Sequence, residues 1–317
     1  MRSRLFLFLI SVFALLVSVE RSLPQQEGMD PWLQRPVDDA TYRTYLDFFA
    51  YSKQIGIDLR VSGAADKEGL RTERLSFQST PGIRVYAALY QPSNPPAGKR
   101  QTVIFLHGGT PQGKDEPYVV PIVSLLARAG FSVLAMDMQY FGERSTDLLK
   151  TFSELEKHER LYNQPSVYLA WVTQTAKDVR RACDMMIEER SADPDRIALV
   201  GVSRGAIAAA IIGAVETRFR GVAMLFGGHF DALEKGHLAA ACPANYIGRL
   251  APRRLLMVNA TEDSDMIRER SVDPLFKLAQ QPKKIVWTKG GHGYMTDEHW
   301  KEVIQWLGET LALKRST

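Results

Sequence analysis

The chain has 317 residues and a formal net charge of +4, with 45% hydrophobic and 24% charged residues. This composition is typical of a globular protein and excludes a disordered or fibrous one, and the length allows one large α/β domain or two smaller ones. About half of the net charge lies in residues 1–22, and no basic stripe with interleaved aromatic residues follows. A nucleic-acid partner is therefore not expected.

The first 22 residues are typical of an export signal. Two arginines precede fifteen uncharged, mostly apolar residues from Leu5 to Val19, a run that is short for a membrane-spanning helix of about 20 residues. No Ala-x-Ala cleavage pattern ends the run, so an uncleaved N-terminal anchor stays open as the alternative. Both alternatives predict a catalytic body outside the cytoplasm, secreted or periplasmic, with membrane contact only through this segment.

Residues 23–69 are predicted to form a connector rich in Pro and Gln, with one helix near residues 42–51. Two strands follow at residues 70–77 and 83–92, separated by a Pro-Gly turn signal. We predict that residues 70–317 form the catalytic domain.

Beyond residue 100, apolar strands alternate with amphipathic helices. Strands are predicted at residues 101–108, 131–138, 196–203, 221–228, 253–260 and 283–290, and helices at residues 118–129, 167–189, 204–214, 273–280 and 297–313. This alternation indicates an α/β fold with a mostly parallel, eight-stranded sheet and helices on both faces. The long polar stretch of residues 143–166 is predicted to form a small excursion over one edge of the sheet.

A candidate nucleophile lies between the strand at residues 196–203 and a helix of small residues. Ser203 is flanked by Gly201 and Gly205, as in a nucleophile elbow, where side chains at the two glycine positions would collide with the neighbouring strand and helix. The helix N-terminus also favours negative charge above it. The alternative is an ordinary turn in which Ser203 caps the helix.

A serine hydroxyl needs a base to take its proton and an acid to orient that base, and in this topology both follow the nucleophile along the chain, just beyond strand ends. His292 follows the last predicted strand. Asp263 follows the strand before it and is preferred because it comes first after the turn, with Asp265 second and Glu262 third. The order of nucleophile, acid and base is therefore the required one.

Acyl transfer also needs hydrogen-bond donors for the oxygen that becomes negative. We assign the backbone N–H groups of Gly109 and Arg204 to this oxyanion hole, and we predict that the neighbouring His107 hydrogen-bonds its loop rather than reacting. A phosphate loop, G-x-x-x-x-G-K ending at Lys114, is disfavoured because Asp115 replaces the Ser or Thr that binds magnesium.

No metal site is expected from the sequence. His229 and His237 lie close together, but no third ligand at a known spacing accompanies them. The two cysteines, Cys183 and Cys242, permit one disulfide without requiring it.

These segments together resemble the α/β-hydrolase superfamily: "GVSRGA" at the elbow, "HGG" at the oxyanion loop, "NATED" at the acid loop and "GGHG" at the base loop occur in its order. Residues 70–313 carry the resemblance, and the stretch leading into the elbow is similar to the bacterial dienelactone-hydrolase and acetyl-xylan-esterase-like branch. The same stretch occurs in serine peptidases related to prolyl oligopeptidase. The resemblance implies Ser203 as nucleophile, His292 as base and Asp263 as its orienting acid.

Two positions depart from the pattern. Ala206 stands where many relatives have glycine, and Arg204 places a large cation beside the nucleophile, with its side chain either in the pocket or in a structural role. The expected function is that of an exported serine esterase without cofactor, acting on small-molecule or carbohydrate esters with short acyl groups. A serine peptidase and a non-catalytic binding protein remain the alternatives, and the oligomeric state stays open.

Overall fold

The computed structural model describes residues 30–95 and 97–312. The predicted signal or anchor at residues 1–22 lies outside the described residues. No helix within the described ranges is both long and apolar enough to cross a membrane.

Nine β-strands of the described region form one sheet. In chain order they are β1 Arg60–Lys67, β2 Leu70–Gln78, β3 Arg84–Pro92, β4 Arg100–Leu106, β5 Ser132–Met136, β6 Ala192–Val202, β7 Phe219–Leu225, β8 Arg254–Ala260 and β9 Lys283–Thr288. Across the sheet they run β1-β2-β3-β5-β4-β6-β7-β8-β9. Strands β4 to β9 are parallel to one another, whereas β1, β2 and β3 pair antiparallel with their neighbours.

The eight predicted strands are confirmed, but the predicted number is wrong because β1 adds a ninth. It lies within residues 23–69, the predicted connector, and pairs with β2 at the edge of the sheet. All eight of its residues are exposed. A strand with solvent on both faces has no need for alternating apolar residues, so its sequence carries no hydrophobic period.

Ten α-helices lie in the part of the chain that the structure describes, and the longest ones were predicted. They are α1 Pro31–Gln34, α2 Asp39–Leu46, α3 Val119–Arg128, α4 Asp147–Thr151, α5 Glu154–Lys157, α6 Pro165–Glu189, α7 Arg204–Val215, α8 Ala244–Ile247, α9 Asp273–Leu278 and α10 Asp297–Ala312. The four that the sequence did not predict, α1, α4, α5 and α8, have four or five residues each.

The helices cover both faces of the sheet. Helices α6, α7 and α9 pack on one face around residues such as Val179 and Leu275, and α3 and α10 pack on the other around Val123 and Leu307. Every residue of α7 is buried. Its small residues let it lie close to β7, since a Cβ atom at Gly213 would be 2.5 Å from the Val222 side chain.

The predicted excursion of residues 143–166 lies over the edge of the sheet at which the central strands end. Its Lys157 ammonium donates to the Gly109 carbonyl beyond β4 at 3.1 Å, and its Asn163 amide donates to the Leu233 carbonyl beyond β7 at 3.0 Å. The chain enters this segment from β5, which lies inside the sheet between β3 and β4. It therefore leaves directly above the strand ends.

Candidate active site

Ser203 lies in a sharp turn between β6 and α7. Its backbone has φ of 52° and ψ of −116°, a region that non-glycine residues adopt at a cost of about 1–3 kcal/mol and that recurs at functional sites. The Ser203 N–H donates to the Leu225 carbonyl at 2.8 Å, and its own carbonyl accepts from the Ala206 N–H at 2.8 Å. These bonds hold the turn in place.

The glycines on either side of Ser203 permit close packing of the turn. A Cβ atom at Gly205 would be 2.4 Å from the His107 carbonyl oxygen, and one at Gly201 would be 2.3 Å from the Gly205 oxygen. Ala206, the departure from the family pattern, is accommodated by another glycine, because a Cβ at Gly227 would be 2.4 Å from the Ala206 methyl carbon.

His292 and Asp263 form a hydrogen-bonded pair. The Nδ1 atom of His292 lies 2.8 Å from Oδ2 of Asp263. The two loops that carry them, after β9 and β8, are joined by a backbone bond from the Glu262 N–H to the Gly290 carbonyl at 3.0 Å. This bond aligns the loops so that the carboxylate meets the ring.

The second oxygen of Asp263 fixes the carboxylate itself. Oδ1 accepts the backbone N–H groups of Asp265 and Met266, both at 2.9 Å. Burial alone would raise the pKa of Asp263, but the hydrogen bond with His292 and the backbone N–H groups of Met266 and Asp265 together lower it. Burial likewise opposes the charged form of His292, yet the Asp263 bond and charge raise the pKa of the ring. The other two candidate acids, Asp265 and Glu262, are exposed.

The loop after β4 passes against the nucleophile. A Cβ atom at Gly108 would be 3.4 Å from the Ser203 Cβ, and one at Gly109 would be 3.7 Å from the Arg204 Cβ. The Gly108 N–H already donates to the Tyr118 hydroxyl at 2.6 Å. Arg204 is the first residue of α7, where the N–H has no partner within the helix. The N–H groups of Gly109 and Arg204 therefore belong to neighbouring backbone segments beside Ser203.

The His107 ring is held at both nitrogens in the interior. Nδ1 donates to the Gly108 carbonyl at 2.6 Å, and Nε2 accepts the Met138 N–H at 3.1 Å. The ring is fully buried, and burial lowers its pKa. This neutral imidazole, hydrogen-bonded at both nitrogens, positions the loop.

Lys114, the last residue of the phosphate-loop pattern, is also engaged by protein groups. Its ammonium contacts the carboxylates of Glu143, Asp137 and Asp115 at 2.6, 2.9 and 3.2 Å. Its side chain is 1% exposed. The lysine therefore joins loops to one another and does not face an open phosphate site.

A cavity of about 550 Å³ brings the candidate residues together. Ser203 and His292 both border it, as do Gly109 and Arg204. Asp263 lies behind His292 with 1% of its side chain exposed. The apolar part of the wall consists of Ile122, Val202, Leu225, Phe226, Leu233, Met266 and Trp300.

The Arg204 side chain turns into a buried polar network beside this cavity. It forms ion pairs with Asp231 and Glu234, and its guanidinium lies 3.8 Å above the Tyr162 ring centroid. Oδ2 of Asp231 also contacts Nε2 of His158 at 2.8 Å. Burial opposes ionisation of Asp231, but the charge of Arg204 and the His158 bond lower its pKa to about 2. Two carboxylates thus neutralise the cation. Of the two roles that the sequence left open for the Arg204 side chain, this arrangement matches the structural one.

Replacing Glu234 by alanine is expected to lower the free energy of unfolding by about 3–5 kcal/mol, because it leaves a buried guanidinium short of one partner. Glu234 also accepts from the His237 ring at 3.1 Å and from the Asp231 N–H at 2.7 Å. Urea unfolding at neutral pH measures the change. The neighbouring Lys235→Ala, at an exposed position, should stay within about 0.5 kcal/mol; equal stability of both variants would contradict the assigned role of Glu234.

Several residues at the cavity were missed by sequence reasoning. His158 and Asp231 are separated by 73 positions, and neither belongs to a local motif. Tyr118, Phe226 and Trp300 border the cavity from three separate elements. The sequence does carry one positional signal: Phe226 and Asp231 follow the end of β7, as the candidate catalytic residues follow the ends of other strands.

No family model and no curated protein matches the chain. Among solved structures, acetyl xylan esterase 1 from Thermoanaerobacterium sp. JW/SL YS485 superposes with a TM-score of 0.62 at 17% identity, over 92% of this chain and 99% of that one. A cold-adapted esterase from an Arctic intertidal metagenomic library gives a TM-score of 0.60 at 18% identity, over 79% and 98%. A glucuronoyl esterase from Solibacter usitatus gives 0.56 at 12%, over 86% and 94%. The chain has the α/β-hydrolase fold of these esterases, as its sequence motifs predicted.

Proposed function

We propose that this protein is a serine hydrolase that cleaves short-chain carboxylic esters through an acyl-enzyme intermediate. One observation carries the proposal: the His292 ring, bonded to Asp263 at 2.8 Å, borders the same cavity as Ser203, whose backbone is held at a φ of 52°. A base with an orienting acid, lining the same cavity as a half-buried serine in a strained turn, is the arrangement that acyl transfer requires.

In the proposed mechanism the Ser203 oxygen attacks the ester carbonyl while Nε2 of His292 takes the hydroxyl proton. The carbonyl oxygen becomes negative and is stabilised by the N–H groups of Gly109 and Arg204. Collapse of this intermediate breaks the bond to the alcohol, which leaves with the proton from His292. Water, deprotonated by the same ring, then attacks the acyl group and restores Ser203.

The walls of the cavity support a short acyl group and a polar alcohol. Glu154, His158 and Asp231 border the cavity in addition to its apolar residues. A long alkyl chain that filled the remaining space would displace water from these charged groups, at a cost that no hydrogen bond offsets. Hydroxyl groups of an alcohol such as a carbohydrate would instead find acceptors there.

We expect kcat/KM of the full chain to fall from p-nitrophenyl acetate through butyrate to octanoate, by about tenfold or more overall. Each methylene group that does not fit the cavity weakens binding of the transition state. Initial rates, followed by the absorbance of the released p-nitrophenolate, measure the series. A rate that rises with acyl length would contradict the short-chain assignment while leaving the serine mechanism intact.

The peptidase alternative is tested in the same assay. We expect no release of p-nitroaniline from prolyl and alanyl peptide p-nitroanilides at rates comparable with acetate hydrolysis. Turnover of the anilides with no turnover of the esters would replace the esterase proposal by the peptidase. Folded protein without turnover of either class would favour a non-catalytic binding role.

A further inference from the structure

Three metal-ligating side chains converge outside the catalytic cavity. Nε2 of His229 lies 3.2 Å from Oδ2 of Asp30, and Sγ of Cys242 lies 3.8 Å from the same nitrogen and 4.0 Å from the same carboxylate oxygen. His229 and Cys242 are buried, with 2% and 0% of their surface exposed. Each side chain directs a different donor type, oxygen, nitrogen or sulfur, toward one point.

The spacing of the three atoms matches a zinc coordination sphere. Zinc binds carboxylate oxygen and imidazole nitrogen at about 2.0–2.2 Å and thiolate sulfur at about 2.3 Å, which places tetrahedral ligands about 3.3–3.6 Å apart. The observed separations of 3.2, 3.8 and 4.0 Å all lie within a few tenths of an ångström of that range. Small side-chain rotations would bring all three atoms into bonding distance of one ion.

The charges and the surroundings also suit a divalent cation. One carboxylate, one thiolate and one neutral imidazole balance the charge of Zn²⁺, and a neutral complex is the form that an apolar environment tolerates. Leu33, Cys242 and Ala244 form a small buried apolar cluster at this point, with Trp32 and Phe230 packed against it.

Asp30 is already oriented for this role. Its Oδ1 accepts the Trp32 N–H at 2.9 Å and so caps helix α1, which leaves Oδ2 directed at His229. A hydrogen bond to the second oxygen of a ligating carboxylate is a common way in which proteins orient metal ligands.

We propose that Asp30, His229 and Cys242 form a zinc-binding site. Three protein ligands leave a fourth position for water or a small ligand, and Asp30 and His229 border a cavity of about 720 Å³ from which it can be reached. The bound ion ties the segment at α1 to the loop beyond β7 and to the turn before α8.

The sequence predicted no metal site, and the one histidine pair weighed there, His229 and His237, does not form this one. His237 bonds to Glu234 at 3.1 Å and stacks on the Tyr168 ring with a centroid separation of 3.5 Å. The remaining ligands, Asp30 and Cys242, come from segments 212 positions apart. No local spacing in the sequence could therefore reveal the set.

The full chain, stripped of metal with a chelator, is titrated with Zn²⁺ against a chromophoric competitor and separately with Co²⁺. We expect one equivalent of Zn²⁺ to bind, and the Co²⁺ form to show a thiolate-to-metal charge-transfer band together with tetrahedral d–d bands. Absence of the charge-transfer band in the wild-type chain would overturn the proposal without any variant. The presence of the band would also distinguish this site from Asp263, Asp265 and His292, a group of possible ligands without sulfur.

Matched variants test the ligands individually. Cys242→Ser and Asp30→Asn are expected to weaken zinc binding at least about 100-fold, whereas Cys183→Ser, at the other buried free cysteine, and Asp38→Asn, at the N-cap of α2, should bind as the wild type does. Circular dichroism verifies that each variant is folded. Equal zinc affinity in folded Cys242→Ser would overturn the assignment.

Discussion

Replacement of Ser203 by alanine is expected to lower kcat for p-nitrophenyl acetate by about 10⁴–10⁶-fold, which leaves only the contribution of binding and of the oxyanion donors. The Michaelis constant should change little, because the cavity walls that hold the substrate remain. Alanine meets the same backbone strain as serine at this φ, so the free energy of unfolding should stay within about 1 kcal/mol of the wild type. Steady-state kinetics and urea unfolding measure the two quantities.

A covalent probe identifies the nucleophile independently of substrate choice. A fluorophosphonate should add to the wild-type chain once, and peptide mass spectrometry should locate the adduct on Ser203. Ser62→Ala, at an exposed position on the edge strand β1, serves as the control and should retain full activity and labelling. An adduct on a different residue, or more than about a hundredth of the activity in Ser203→Ala, would remove Ser203 from the proposed role.

The fold was predictable where burial imposes a pattern. Strands β4 to β8 carry buried apolar runs because both faces of the sheet are covered. Helices α3 and α10 show one apolar face, whereas α7 is buried on all sides. Strand β1 was missed because solvent covers both of its faces, so its pairing with β2 imposes no hydrophobic pattern on its sequence. The sequence predicted the excursion of residues 143–166 but not which strand ends it crosses, because it carries no information on which strands β5 neighbours in the sheet.

The candidate site was predictable to the extent that chain order follows topology. Parallel strands end at the same edge of a sheet, so residues just beyond strand ends, such as Ser203 and His292, are brought together by the fold itself. The sequence preferred Asp263 to Asp265 only by its order after the turn, because both follow β8. The geometry adds the physical reason, since Asp263 is buried against the ring while Asp265 is exposed.

The environment of Arg204 illustrates what sequence cannot supply. Its two carboxylate partners, Asp231 and Glu234, lie 27 and 30 positions away, in a loop with no regular period. Whether an arginine beside a nucleophile faces substrate or is neutralised depends on where such a loop passes. Here the loop between the two cavities supplies both partners and His229, so one segment supports the catalytic wall and the proposed zinc site.

Asp263→Asn is expected to lower kcat by about 10⁴-fold, because the amide favours the wrong imidazole tautomer. Two backbone N–H groups, of Asp265 and Met266, donate to Oδ1 of Asp263. An asparagine here keeps its carbonyl oxygen on these donors and therefore turns its NH₂ group toward His292. Nδ1 of the ring must then accept, which places the proton on Nε2, where it can no longer take one from Ser203.

The same substitution should move the pH dependence in a defined direction. In the wild type, burial lowers the pKa of His292, but the Asp263 bond and charge, with the charges of Asp265 and Asp231, raise it overall. The value of kcat/KM should therefore fall as the pH decreases through a value above that of an ordinary histidine. Loss of the Asp263 charge leaves burial to lower the pKa. The acid limb of the remaining activity should therefore lie at lower pH, as pH–rate profiles in buffers of constant ionic strength will measure.

Asp265→Asn is the matched control because Asp265 also raises the pKa of His292, but through its charge alone. We expect this variant to move the acid limb slightly toward lower pH and to change kcat by less than about tenfold, since the tautomer of the ring is unaffected. If Asp265→Asn lost as much activity as Asp263→Asn, orientation of the base could not be assigned to Asp263. The roles of the two carboxylates therefore differ because Asp263 hydrogen-bonds to the ring, whereas Asp265 acts only through its charge. The value of kcat reports the effect of the hydrogen bond, and the position of the acid limb reports the effect of charge.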